Sequence, residues 1–67
     1  MSKVNKLCKE LDSLYKQLTD THFDYTLQMA LGNLGMATYY KMQLDTIQLH
    51  IEYVQKELRE AFDEVEK

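Results

Sequence analysis

The sequence predicts an all-α fold: an antiparallel two-helix hairpin packed like a coiled coil and expected to dimerise into a four-helix bundle. The 67 residues contain two hydrophobic heptad repeats, one at each end, two glycines near the middle and no proline. Apolar residues alternate at steps of three and four in both repeats, which is the pattern of helices packed along a seam. The repeats are Val4, Leu7, Leu11, Leu14 and Leu18, and then Leu44, Ile47, Ile51, Val54, Leu58, Ala61 and Val65.

The first helix is expected over about 3–31, followed by a turn over about 32–35. Gly32 and Gly35 bracket this turn. Glycine inside a helix costs about 1 kcal/mol relative to alanine, so two of them close together favour a helix end and a chain reversal.

A second possible break lies at 19–22, where Thr21 and Asp24 have the spacing of a capping pair for one long second helix. The heptad registers favour the glycine turn instead. When the chain folds back there, an a position meets a d position in every layer and the paired residue numbers add up to 65. These layers run from Val4 with Ala61 to Leu18 with Ile47.

The second helix is expected over about 36–66, so that 1–67 forms a single helical-hairpin domain. Residues 1–16 carry a charge of +2 and residues 56–67 a charge of −2, which favours folding the ends together. A chain this short usually needs a disulfide, a metal or a second copy to be stable. Because Cys8 is the only cysteine, the sequence predicts a homo-oligomer, with an antiparallel dimer favoured.

Composition narrows the function classes. Eight basic and eleven acidic side chains give a net charge of −3, which disfavours direct binding of nucleic acid. No stretch resembles a secretion signal and none of about eighteen residues is apolar enough for a membrane span. The sequence predicts a cytoplasmic protein with no membrane partner.

The outward c and f positions of the loop half are apolar, whereas those near the termini are charged or polar. Contiguous apolar surfaces on small proteins usually mark an interface, and Tyr, Phe and Met are enriched there. Two occupants fit this surface: a second copy, as the core of a four-helix bundle, or a different protein. The candidate interface residues are Phe23, Leu27, Tyr39, Met42, Leu49 and Tyr53.

No catalytic or metal-binding pattern stands out. Cys8 has no base placed beside it by sequence, and His22 and His50 lack a second ligand three or four residues away. We therefore expect no enzyme activity, no metal and no cofactor. The expected function is a small protein-interaction module that acts as a regulator or inhibitor. Two alternatives stay open: a purely structural homo-oligomerisation module, and an inhibitor whose acidic C-terminal stretch mimics nucleic acid.

Overall fold

The computed structural model describes the backbone of residues 2–66 and the side chains of residues 3–64. Helix α1 spans Ser2–Ala30 and helix α2 spans Leu34–Glu66. They pack against each other as a hairpin about 53 Å long and 14 by 11 Å across at the Cα atoms. The predicted all-α helical hairpin is confirmed. Val65, the last member of the second repeat, lies outside the residues whose side chains are described.

The chain reverses at Gly32, which has a φ of 76°. The amide of Asn33 donates to the carbonyl of Gln28 at 2.9 Å, and the amide of Gly32 donates to the carbonyl of Met29 at 3.1 Å. This pair of hydrogen bonds around a left-handed glycine is a Schellman motif, which satisfies the last carbonyls of a helix. Gly32 is therefore the residue that ends α1.

Asn33 begins α2 immediately afterwards. Its side-chain Oδ1 accepts a hydrogen bond from the Met36 amide at 3.3 Å, and its carbonyl accepts from the Ala37 amide at 3.0 Å. These are the bonds of a helix N-cap. The turn is thus shorter than expected: α2 begins at Leu34 and Gly35 lies inside it. Helix α1 continues without interruption through 19–22.

The core is a single seam between the helices. Its residues occupy the a and d positions of the two heptad repeats, which face the other helix because 3.6 residues complete a turn. Ala37 and Leu44 extend the buried seam toward the loop. Within the core cluster, Leu7, Leu14, Ile51, Val54 and Ala61 are buried, with Val4, Leu11, Leu18, Ile47 and Leu58 packed against them.

The seam divides the rest of the surface into two broad faces. Positions b and e of both helices share one, the e face, where Gln55 Nε2 donates a hydrogen bond to the Tyr15 hydroxyl at 2.7 Å. Positions c and g share the other, the g face, where His50 Nε2 lies 3.5 Å from Glu10 Oε1. The f positions lie at the outer edges, farthest from the seam. A two-helix hairpin leaves both faces open to solvent.

Candidate protein interface

All six predicted interface residues are exposed in the hairpin. The exposed fraction runs from 44% for Leu27 to 67% for Phe23 and Leu49. They stay in solvent because none of them occupies an a or d position, where it would pack against the other helix. The two helices of the described residues leave the remaining heptad positions uncovered. The six are Phe23, Leu27, Tyr39, Met42, Leu49 and Tyr53.

The structure places these residues along the g face and its edges, but not in one cluster. Tyr39 and Met42 line the same groove, of about 570 Å³, together with Gln43, Thr46 and Asp20 across from them. Tyr53 lies farther from the loop, in a hollow that it shares with Lys3, Lys56, Glu57 and Glu60. The loop half of the g face therefore differs from its terminal half.

Four exposed apolar residues at the loop end were missed by the sequence prediction: Met29 and Leu34 on the e face, and Leu31 and Met36 on the g face. Leu31 is 69% exposed and Met36 is 40% exposed, and both hold g positions beside Leu27 and Tyr39. The signal that could have found them is a charge pattern: from Tyr25 to Tyr40 the sequence contains no Asp, Glu, Lys, Arg or His. We call the apolar residues of this end of the g face the loop-half patch; they are Phe23, Leu27, Leu31, Met36, Tyr39 and Met42.

Local hydrogen bonds define the backbone at the loop end of the patch. Leu31 and Met36 lie on either side of the turn, whose backbone is fixed by the Schellman motif and by the Asn33 cap. The ring of Tyr39 packs edge-on against that of Tyr40, with ring centroids 5.5 Å apart. Such aromatic pairs are preferred geometries. An apolar surface on a preformed turn loses little conformational entropy when it binds.

The terminal half of the g face is charged. Helix α1 supplies Lys3, Lys6 and Glu10, and α2 supplies Glu57 and Glu60, with Lys56 beside them. A hydrogen bond to Glu57, followed by the negative charge of Glu57, raises the pKa of the exposed Tyr53 hydroxyl above its ordinary value of 10.0. Glu60 and Glu10 act in the same direction more weakly. Basic and acidic side chains thus lie side by side here, rather than forming a uniformly acidic surface.

The e face is polar over its middle. A groove of about 690 Å³ runs along it, lined by side chains that include His22, Lys41, Asp45, Gln48 and Glu52. Lys41 and Asp45 form an ion pair at 3.0 Å across one helical turn, and both are more than half exposed. Surface pairs of this kind contribute little to stability. The groove is open and its charges are solvated, so it offers no enclosed ligand site.

Residues with reactive or metal-ligating side chains stay apart. Cys8 is exposed on the e face. Among the described residues, no group of three His, Cys, Asp or Glu side chains lies close enough to hold a metal ion. Nor is either helix, over its described length, long and apolar enough to cross a membrane.

Comparison with known proteins gives no relative from which to transfer a function. No family model matches the chain, and neither the curated proteins nor the solved structures yield a match. The functional argument therefore rests on the chemistry of the hairpin's own surfaces.

Proposed function

We propose that this protein is a non-catalytic interaction module that binds another protein chain through the loop-half patch, and so acts as a small regulator or inhibitor. The observation that carries the proposal is the combination of six large, exposed apolar side chains with sixteen consecutive residues that lack a charge. Large apolar patches on small proteins mark interaction sites.

The chemical character of the patch supports a protein as the ligand. Phenylalanine, tyrosine and methionine are the residues that protein interfaces favour, and leucines complete this surface. The neighbouring charged residues on the g face are Asp20 and Asp24, which lie on the α1 side. Two carboxylates at the rim would repel an anionic membrane or a nucleic-acid backbone.

Site-specific photo-cross-linking tests the proposal without knowledge of the partner. A photoreactive phenylalanine analogue replaces Tyr39 in the patch and, as a matched control, Gln48 on the e face of the same helix. We expect polypeptide adducts in cells from position 39, at least several-fold more than from position 48. Adding Met42→Glu to the position-39 variant should suppress them, because a carboxylate in the patch must be desolvated on binding.

The mass of the adducts identifies what binds. An adduct of twice the 8.0 kDa chain mass reports a second copy, and an adduct of any other mass reports a different protein. Either result supports the interaction module. Equal labelling from both positions, or no adduct from position 39, would overturn the proposal.

A further inference from the structure

We infer that the g face binds the g face of a second copy of this chain, and that the two hairpins lie parallel, with their loops at the same end. This inference rests on the proposed function and names the partner. It differs from the antiparallel dimer that the sequence predicts.

A two-fold axis parallel to the hairpin, lying between two stacked g faces, places α1 of one copy over α2 of the other. A residue of α1 in one copy then faces the residue of α2 in the second copy that lies at the same height along the axis. The residue numbers of such a level pair add up to about 65. In the loop half this brings apolar groups together. Leu27 of one copy lies over Tyr39 of the second, and Leu31 over Met36, while Phe23 and Met42, at f positions, lie level with each other at the edge of the contact.

The same axis brings opposite charges together in the terminal half. Lys3 and Lys6 on α1 of one copy lie over Glu57 and Glu60 on α2 of the second. Opposite charges that face each other across an interface favour that pairing over others. The remaining α1 carboxylate at this end, Glu10, lies 3.5 Å from His50 of its own chain.

The middle of the face raises no conflict. Asp20 and Asp24 of one copy come level with Thr46 and Gln43 of the second, which are uncharged. The two pairs are equivalent by symmetry.

By the same rule Glu10 of one copy comes level with Glu57 of the second, which is the one level of the described g face where two carboxylates meet, and His50 lies 3.5 Å from that Glu10. The other charged levels of this face pair lysines with carboxylates, or carboxylates with uncharged side chains.

An antiparallel dimer of full length would undo this matching. Reversing one hairpin lays the loop-half patch over the partner's lysines and glutamates at its terminal half. Burying charged groups against apolar side chains is unfavourable because they lose water without gaining a partner. The gradient from apolar to charged along the 53 Å hairpin thus favours loops at the same end.

The surface area is sufficient for such a contact. The hairpin exposes 5288 Å², whereas a compact monomer of 8.0 kDa exposes about 4,450 Å². The excess is roughly 800 Å², and stable interfaces bury about 800 Å² per partner. A g-face contact of the standard size would remove about this excess from water.

Distances between nitroxide labels, measured by double electron–electron resonance, test the orientation on the full chain. Cys8, the single cysteine, carries one label near the termini of the e face. A second sample carries Met29→Cys with Cys8→Ser and reports on the loop end of that face. Both sites lie outside the inferred contact. If Met29→Cys lowers the helix content, Thr38→Cys on the same end of the e face replaces it.

The parallel dimer predicts similar distances at both sites, on the order of 20–30 Å, because only the width of a four-helix bundle separates the labels. In any antiparallel dimer the axial separations at the two sites add up to about 60 Å, twice the rise over 21 residues. With the bundle width included, at least one site then reaches about 40 Å. A distance of that length at either site, or no dipolar coupling at all, overturns the inference.

These outcomes separate the two proposals. Absence of coupling together with position-39 adducts of another mass would reject the second copy and retain the interaction module. Absence of dipolar coupling together with absence of position-39 adducts would reject both the second copy and the interaction module.

Discussion

The Tyr15 hydroxyl accepts a hydrogen bond from Gln55 Nε2 at 2.7 Å, which links the two helices across forty residues of sequence. On the opposite face Glu10 lies 3.5 Å from His50. The residue numbers of these two pairs add up to 70 and 60, on either side of the 65 that defines the seam. Both pairs thus connect side chains that are about five residues from level, in opposite directions on the two faces.

A double-mutant cycle of Tyr15→Phe and Gln55→Ala measures the first of these contacts. We expect a coupling free energy of about 0.5–1 kcal/mol, at the low end for a hydrogen bond because both groups are partly solvated. The free energies of unfolding of the wild type, the two single variants and the double variant are measured by unfolding in urea, followed by circular dichroism. A coupling indistinguishable from zero would mean that Tyr15 and Gln55 do not bond in solution.

Truncating the seam should cost far more than truncating the surface. Leu14 is 5% exposed and Leu49 is 67% exposed. Leu14→Ala should lower the free energy of unfolding by about 2–5 kcal/mol, enough to unfold a small domain. Leu49→Ala, which deletes the same atoms at the edge of the g face, should change it by about 0.5 kcal/mol or less. Similar losses in the two variants would reject the seam.

The two glycines should respond to alanine in opposite ways. Gly32 has a φ of 76°, where a side chain is strained even though no atom lies within 4 Å of the position that a Cβ would take. Gly32→Ala should therefore destabilise by about 1–2 kcal/mol. Gly35 lies in open space inside α2, so Gly35→Ala should stabilise by about 0.4–1 kcal/mol. Thermal unfolding of the pair checks this, and a stabilising Gly32→Ala would contradict the turn geometry.

The pKa of Tyr53 should fall toward 10.0 in Glu57→Gln, because the hydrogen bond and the charge that raise it are both removed or weakened. In the wild-type protein the folded-state pKa lies above the unfolded value. Its contribution to stability is thus fully present below about pH 10 and is lost as the pH rises through the folded-state pKa.

Nuclear magnetic resonance of the tyrosine Cζ carbon, titrated with pH, gives the Tyr53 value directly. Glu52→Gln, on the e face, is the matched control and should leave it unchanged. An unchanged Tyr53 pKa in Glu57→Gln would show that the two side chains do not interact in solution.

The hairpin could be predicted because its core is a pure spacing pattern. Leu7, Leu14, Ile51 and Val54 recur at the steps that face a partner helix. The exact position of the turn could not be predicted, because both Gly32 and Gly35 are compatible by propensity with the end of a helix. What distinguishes them is that Asn33 completes the Schellman motif of α1 while capping α2, a role that depends on backbone hydrogen bonds.

The exposure of the candidate surface was also predictable from heptad positions, since c and f positions lie away from the seam. Leu31 and Met36 were missed because g positions flank the a and d positions and are usually expected to pack partly against the core. Which residues share a face depends on how e and g positions of two helices meet across the seam. That arrangement emerges from the packed pair, as Asp20 of α1 and Tyr39 of α2 in one groove illustrate.

The mass of the protein in solution, measured by light scattering across a hundredfold dilution, tests the central claim most directly. We expect about 16 kDa, twice the chain mass, for the wild type and for a control with Thr38→Glu and Gln48→Glu on the e face. Tyr39→Glu with Met42→Glu, which adds the same charge to the loop-half patch, should shift the mass to about 8 kDa and lower the helix content with it. A wild-type protein that stays folded at 8.0 kDa throughout, or a patch variant that remains dimeric, would contradict the homodimer through the loop-half patch.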